Sequence, residues 1–178
     1  MMEIEAKIRV SALEPVRARL RGRKARHLGV RVERDVYYNA PHRDFAATDE
    51  ALRVRYSEGA PVLTYKGPKL PGEGPKAREE ICVTVEQGDL MELVLERLGF
   101  PRTAQVVKER DLYQLEGATI ALDTVESLGT FIEIEAPPGL SRQEAVRRIR
   151  DIAEELGVRG ESLSVSYLEM LLSTPRGS

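Results

Sequence analysis

Charged and apolar side chains alternate in the opening segment EIEAKIRV, a spacing typical of a β-strand. Side chains two positions apart in a strand share a face, so one face carries two acids followed by two bases. That face holds Glu3, Glu5, Lys7 and Arg9. Carboxylate oxygens can bind a hard divalent cation, and Lys and Arg can bind an anion such as phosphate.

Charged pairs at the same spacing recur in later segments that read as strands. They are Arg53 with Arg55, Arg78 with Glu80, Lys108 with Arg110, and Glu133 with Glu135. Lys66 and Asp123 are single charged positions that follow Thr64 and Ala121 with the same parity. A solvated sheet face with weak cross-strand ion pairs explains any one pair, but charged positions on strand after strand are harder to explain in this way. The opposite faces are apolar, and we expect them to pack under helices; they include Ile4, Ile8, Val54, Ile81, Val83, Ile120, Leu122, Ile132 and Ile134.

The order of predicted elements favours an α+β fold with one largely antiparallel sheet of about eight strands. Ser11 and Glu14 have capping-box spacing and predict a helix to about Lys24, and Ser141 with Glu144 predicts another. The stretch 108–135 reads as a three-stranded meander. We expect one domain over residues 1–173 and a loose tail over 174–178.

An antiparallel sheet of this size can close into a barrel, and its charged face then becomes the interior. Charges enclosed in this way are costly unless they are paired or bind a ligand. A triphosphate with Mg²⁺ or Mn²⁺ matches an interior of both signs, because Arg and Lys bind phosphate oxygens and carboxylates bind the metal.

The overall charge is weak, since the 178 residues carry a formal net charge of −2. This makes nucleic acid an unlikely partner, although a basic helix near residues 17–26 is the one candidate surface. No apolar stretch reaches the length of a membrane span.

Cys82 is the only cysteine; we expect a small buried thiol and a cytoplasmic protein. His27 and His42 are isolated and lack metal-ligand spacing. An apolar surface strand could support a homodimer.

The motif EIEAK at residues 3–7 resembles the ExExK signature of the CYTH superfamily, the triphosphate tunnel metalloenzymes. It is followed in order by RVR, TYKGP, REE, VKER, LDTVESLGTFIEIEA and SYLEMLL, a series that covers nearly the whole chain. The family includes class IV adenylyl cyclases, thiamine triphosphatases and inorganic triphosphatases. The resemblance implies an eight-stranded antiparallel closed barrel with a polar interior and helices packed outside.

The resemblance also implies roles for individual residues. Metal ligands would be Glu3, Glu5, Asp123, Glu133 and Glu135. Triphosphate ligands would be Lys7, Arg53, Arg55, Lys66, Arg78, Lys108 and Arg110, with Lys7, Glu80 and Lys108 as the catalytic residues. Arg9, Asp35 and Lys76 are weaker candidates, and residues 167–172 would cap or plug one end of the tunnel.

Two reactions fit such a site. The length of the chain and its ending look closest to the class IV cyclase branch, which predicts conversion of ATP to cyclic AMP and pyrophosphate. The alternative is hydrolysis of the terminal phosphate of tripolyphosphate or thiamine triphosphate. A non-catalytic nucleotide or polyphosphate-binding module is a second alternative, but anion binding alone would not need the carboxylates.

Overall fold

The computed structural model describes residues 2–72 and 74–173. Its strands are β1 Met2–Val10, β2 Arg26–Tyr38, β3 Ala51–Tyr56, β4 Val62–Lys66, β5 Lys76–Thr84, β6 Arg102–Leu115, β7 Ala118–Val125 and β8 Gly129–Glu135. Its helices are α1 Glu14–Gly22, α2 Phe45–Thr48, α3 Gly88–Arg97, α4 Arg142–Glu155 and α5 Tyr167–Ser173. Residues 174–178, predicted to be a tail, lie outside the described residues.

The eight strands form a closed barrel in the order β1-β5-β4-β3-β2-β6-β7-β8, and every neighbouring pair is antiparallel. This confirms the predicted fold class. The β6–β7–β8 run is the expected meander. Closure leaves no free sheet edge in the barrel, so the inner face becomes a lined channel.

The outer face of the barrel carries two separate apolar cores. Helices α1 and α4 cover one side, where Leu20 and Ile149 pack with Ile120 and Ile132. Helix α3 covers another side, where Leu95 joins a cluster on β2 and β3. Each large apolar side chain buried here contributes about 1.5–3 kcal/mol. These two cores fix the curvature that keeps the charged faces inward.

The outer face of β5 departs from the sequence-based expectation. Ile81 and Val83 are 51% and 52% exposed, whereas we expected them to pack under a helix. Cys82 is also exposed, so the prediction of a buried thiol is wrong. The reason is that burial along β5 falls off after Arg78, beyond the region that α1, α3 and α4 cover.

Two helix starts had been predicted from capping-box spacing, and the structure confirms one. Ser141 accepts from the backbone N–H of Glu144, and the Glu144 carboxylate accepts in return. Ser11 is not the N-cap of α1: Leu13 holds that position without a side-chain cap, and Pro15 stands in the first turn. Proline fixes φ near its helical value, so it can start a helix without a capping side chain.

Candidate active site inside the barrel

The barrel encloses a cavity of about 330 Å³ lined by side chains of both charges. Most of the predicted site residues line it: Glu3, Glu5, Lys7, Arg53, Arg55, Lys66, Arg78, Lys108, Arg110, Glu133 and Glu135. Strand register explains this convergence, because Glu5 lies opposite Glu135 and Lys7 opposite Glu133 on the paired strands β1 and β8. Glu80 and Asp123 do not line the cavity but contact residues that do.

One side of the cavity is rich in carboxylates from β1 and β8. Glu135 lies at the rim, and partial burial beside Glu3, Glu5 and Glu133 raises its pKa to about 7. Burial also raises the pKa of Glu3, with Lys66 opposing and Glu80 adding to the effect. Lys66 pairs with both Glu3, at 3.3 Å, and Glu80. This side therefore holds negative charge that the protein neutralises only in part.

A second group links β1, β6, β7 and β8. Lys7 Nζ lies 3.1 Å from a Glu133 oxygen. Arg110 donates to both oxygens of Asp123, at 2.7 and 2.6 Å, and also to Glu133. Burial opposes charge on Lys7, but Glu133 and Glu5 outweigh it and raise the Lys7 pKa. Lys7 is therefore a cation at neutral pH, and Asp123 is occupied by Arg110.

Two acids on β2 belong to the interior network, of which Glu33 was not predicted. Glu33 is fully buried and lies 3.1 Å from Arg55 and 3.2 Å from Lys108. Asp35, only a weak candidate from sequence, accepts from Arg55 at 2.6 and 2.7 Å and from Arg53 at 3.3 Å. These carboxylates fix the cations that line the cavity.

Signals for both acids exist in the sequence. Glu33 and Asp35 share the strand parity of Arg31 and Tyr37, so one face of β2 is polar. Burial alone would raise the pKa of Glu33, but Arg55 and Lys108 outweigh it and lower the value to about 2. Glu33 is therefore ionised throughout the neutral range.

Two lysines of the cavity have lowered pKa values. Burial, followed by the charges of Arg110 and Arg55, lowers the pKa of Lys108 to about 8. Burial and the charge of Lys7 lower the pKa of Lys76 to about 8 as well, while Lys76 Nζ donates to the backbone oxygen of Val165 at 2.9 Å. Either lysine can change its protonation state near neutral pH.

The predicted phosphate ligands differ in whether their N–H donors already have hydrogen-bond acceptors in the protein. Arg53 Nε is buried and has no hydrogen-bond partner among the described residues, whereas Arg53 Nη1 donates to Asp35. Arg78 instead donates to the backbone oxygens of Gly67 at 2.8 Å and Asp49 at 2.7 Å. In this position Arg78 lines the cavity and also supports the loops that contain Gly67 and Asp49.

Helix α5 closes one end of the barrel, as the resemblance implied. Tyr167 and Met170 pack with Val106, Val125 and Phe131 of the strands at that end. Arg9 Nη2 lies 3.8 Å from the Met170 sulfur, which places Arg9 at the closure rather than among the phosphate ligands. The Tyr167 side chain reaches the cavity.

These features define a closed antiparallel barrel whose interior is lined by charged side chains of both signs. A profile of the CYTH domain family matches residues 1–167. The chain therefore belongs to the CYTH domain family, whose members act on triphosphates with divalent metal ions.

Relatives cover almost the entire chain. It is 32% identical over 173 residues to a protein of Methanocaldococcus jannaschii named "Putative adenylate cyclase", covering 96% of this chain and 98% of that protein. A solved structure of a Pyrococcus horikoshii protein has a TM-score of 0.84 at 39% identity, over 96% and 98% of the two chains. A Hippeastrum protein whose structure is described with "a dominant triphosphatase activity" has a TM-score of 0.75, over 96% and 95%. At 20% identity, this last likeness shows the fold alone.

The carboxylates suit the metal that the family uses. Glu3, Glu5 and Glu135 offer oxygen donors, which Mg²⁺ and Mn²⁺ prefer. Burial, followed by repulsion from Glu3 and Glu5, raises the pKa of Glu135, and a bound cation would relieve the repulsion. Within residues 2–72 and 74–173, no three Asp, Glu, His or Cys side chains already converge on one point.

No helix in the described ranges is long and apolar enough to cross a membrane. The assignments of single residues to metal, phosphate or catalysis stay predictions, and so does a homodimer.

Proposed function

We propose that this chain is a divalent-metal-dependent triphosphatase, which uses water to cleave the terminal phosphoanhydride bond of a triphosphate inside the barrel. The observation that carries the proposal is the pairing of two charge sets around one cavity. Arg53, Arg55 and Lys108 face it from one side, and the acids of β1 and β8 face it from the other. A triphosphate bridging the two sets would be held by the bases and share its metal with the acids.

The chemistry needed from the protein is mainly positioning and neutralisation of charge. A bound divalent metal would lower the cost of forming the nucleophile and neutralise phosphate oxygens. Lys76 could accept the proton of the attacking water, because about a tenth of a group with a pKa near 8 is neutral at pH 7. Lys7, which stays charged, would hold a phosphate oxygen.

The size of the cavity favours hydrolysis over cyclisation. A volume of about 330 Å³ is at the small end of the range for ligand pockets, roughly 300–1,000 Å³. A triphosphate with its metal needs less room than a nucleotide folded so that its ribose hydroxyl reaches the α-phosphate. The organic group would then lie at the mouth, which suits tripolyphosphate or thiamine triphosphate as well as a nucleotide.

The second candidate is the cyclase that converts ATP to cyclic AMP and pyrophosphate. It is favoured by the name of the Methanocaldococcus jannaschii relative, which is similar along nearly all of both chains. The two reactions use the same bases and metal and differ in the nucleophile and in the phosphorus attacked.

Product analysis separates the candidates. Purified protein with Mg²⁺ or Mn²⁺ is offered ATP, tripolyphosphate and thiamine triphosphate separately, and orthophosphate, pyrophosphate and cyclic AMP are measured. We expect orthophosphate without cyclic AMP. Cyclic AMP with pyrophosphate would select the cyclase instead. Tight binding without turnover in any metal would contradict both and favour the binding module.

A matched pair of variants excludes a contaminating phosphatase. Glu5 is one of the carboxylates of β1 and β8 that line the cavity. Glu5→Gln should lower turnover at least tenfold because it weakens the metal site. Binding of tripolyphosphate should change less. Glu109→Gln changes an exposed acid on β6 and should leave turnover unchanged. Equal activity in Glu5→Gln and the wild-type protein would contradict the metal assignment.

A further inference from the structure

Tyr167 of α5 is the one aromatic side chain that contacts two of the cavity lysines within the described part of the chain. Lys7 Nζ lies 3.9 Å from the centroid of its ring, and Lys108 Nζ lies 5.4 Å away. Tyr167 is 5% exposed and lines the cavity. Cations over an aromatic face are attracted to it within about 6 Å, and more strongly where water is excluded.

The hydroxyl of Tyr167 makes a separate contact. It donates to Asp123 Oδ2 at 2.8 Å, the oxygen that also accepts from Arg110 at 2.6 Å. Asp123 is therefore held from two sides, and the direction of the Arg110 guanidinium depends on it. One residue of the closing helix thus reaches three cations of the cavity, two by its ring and one through Asp123.

Attachment of α5 does not require these contacts. Met170 and Leu171 pack with the apolar cluster at the barrel end, and Lys69 pairs with Glu169 of α5 at 3.1 Å. A tyrosine that only anchored the helix would not need a buried hydroxyl bonded to an acid of β7, because burying a polar group is costly unless it is used.

We propose that Tyr167 is a positioning residue for the triphosphate: its ring holds the ammonium groups of Lys7 and Lys108, and its hydroxyl fixes Asp123 and so Arg110. The inference rests on the proposed function, since it assumes that these cations bind phosphate oxygens. It assigns to α5 a part of the binding site, beyond closing the barrel end.

Two variants remove first the hydroxyl alone and then the hydroxyl together with the ring. Tyr167→Phe keeps the ring and loses the bond to Asp123, so we expect kcat for tripolyphosphate to fall about fivefold with KM within twofold of the wild-type value. Tyr167→Met fills similar space without an aromatic face, so we expect KM to rise about tenfold as well. Leu171→Ala is the matched control, because it loosens the same helix at a side chain that does not itself line the cavity.

Calorimetric titration of tripolyphosphate in EDTA gives a readout that does not depend on turnover. Tyr167→Met should bind about tenfold more weakly than the wild type, and Leu171→Ala should bind within twofold of it even where its Tm is lower. Unchanged KM and affinity in Tyr167→Met overturn the proposal, as does an equal loss in Leu171→Ala. If Tyr167→Met does not fold, Tyr167→Phe tests the proposal instead. An unchanged kcat in Tyr167→Phe then overturns the proposal.

The wild-type assay separates this failure from failure of the proposed function. If the wild-type protein neither binds nor cleaves a triphosphate, the proposed function is wrong and the role of Tyr167 falls with it. If the wild type is active and the Tyr167 variants match it, only the role of Tyr167 is wrong.

Discussion

Glu135 at the rim of the cavity is expected to lower stability when no metal is bound. Its pKa is about 7 in the folded protein and near 4.5 in an unfolded chain, so the folded state binds the extra proton between these values. Stability from this group therefore falls as pH rises from 4.5 to 7, and the full penalty is present above pH 7.

Glu135→Gln removes that penalty. In EDTA at pH 8 we expect its Tm to exceed that of the wild type by about 2 °C, a modest value because the residue is partly solvated. At pH 5 the difference should nearly vanish. Thermal unfolding at both pH values checks this, with Glu109→Gln as the exposed control. A variant that is less stable than the wild type at pH 8 would contradict the repulsion among these acids.

The lowered pKa of Lys108 predicts that phosphate binding depends on pH. Its pKa of about 8 means that it loses its charge between pH 7 and pH 9 in the free protein. A bound polyanion favours the charged form, so affinity for tripolyphosphate should fall as pH rises through 8. Linkage gives about a tenfold contribution from one such group over this interval.

Lys108→Arg isolates this contribution, since arginine keeps its charge at pH 9. The ratio of wild-type to variant dissociation constants should rise about tenfold from pH 7 to pH 9. Taking the ratio cancels the ionisation of the ligand itself and of Lys76. Calorimetry in EDTA measures both constants, and a constant ratio would mean that Lys108 does not titrate in this range.

Individual charged residues also show how far the sequence can predict the interior of the barrel. The spacing of Glu3, Glu5 and Lys7 was enough to place them on one inner face. The same argument would have found Glu33, but its partner Lys108 lies 75 positions away, and only the β2–β6 register brings them opposite. Strand parity predicts the face on which a side chain lies. It does not predict which strand distant in sequence will lie opposite.

At the scale of elements, the docking of α3 depends on a glycine. A Cβ on Gly88 would lie 2.5 Å from the Tyr56 ring, whose hydroxyl donates to Glu92 on the same helix. Gly88→Ala must displace that ring, and overpacking of this kind costs about 1–3 kcal/mol. We expect lower stability in urea with turnover unchanged at 25 °C, because α3 lies outside the cavity.

Gly22→Ala at the end of α1 is the control, because no atom lies within 4 Å of the added Cβ. Alanine favours helix over glycine, so this variant should range from neutral to about 1 kcal/mol more stable. Similar losses in the two variants would show that Tyr56 does not limit the docking of α3.

Elements were predictable where local chemistry decides them. The capping box at Ser141 is such a case, because both hydrogen bonds form within four residues. Ser11 has the same spacing, but the N-cap of α1 is Leu13, two residues later, and Pro15 stands in the first turn. The exposure of Ile81 was not predictable, because β5 has the same alternation as covered strands and only the placement of helices decides which outer face is buried.

Over the whole molecule, closure of the barrel puts acids and bases of opposite walls close together. Glu33 and Asp35 offset the charges of Arg55 and Lys108, and Lys7 and Arg110 offset Glu133. Repulsion among the other acids and the unpartnered Arg53 Nε remain. A cation or an anion alone would balance one set and leave the other. A metal and a triphosphate bound together would balance both, so their binding should be cooperative.

Thermal shifts in a two-by-two design test this cooperativity: no addition, Mg²⁺ alone, an imido analogue of tripolyphosphate that resists hydrolysis, and both together. A ligand at 100 times its dissociation constant adds about 2.7 kcal/mol, so shifts of several degrees are measurable. We expect the combined shift to exceed the sum of the separate shifts. The excess should vanish in Glu5→Gln, which disrupts the acid set, and persist in Glu109→Gln. Additive shifts in the wild-type protein would mean that the metal and the anion bind independently, and the two walls would then not form one site.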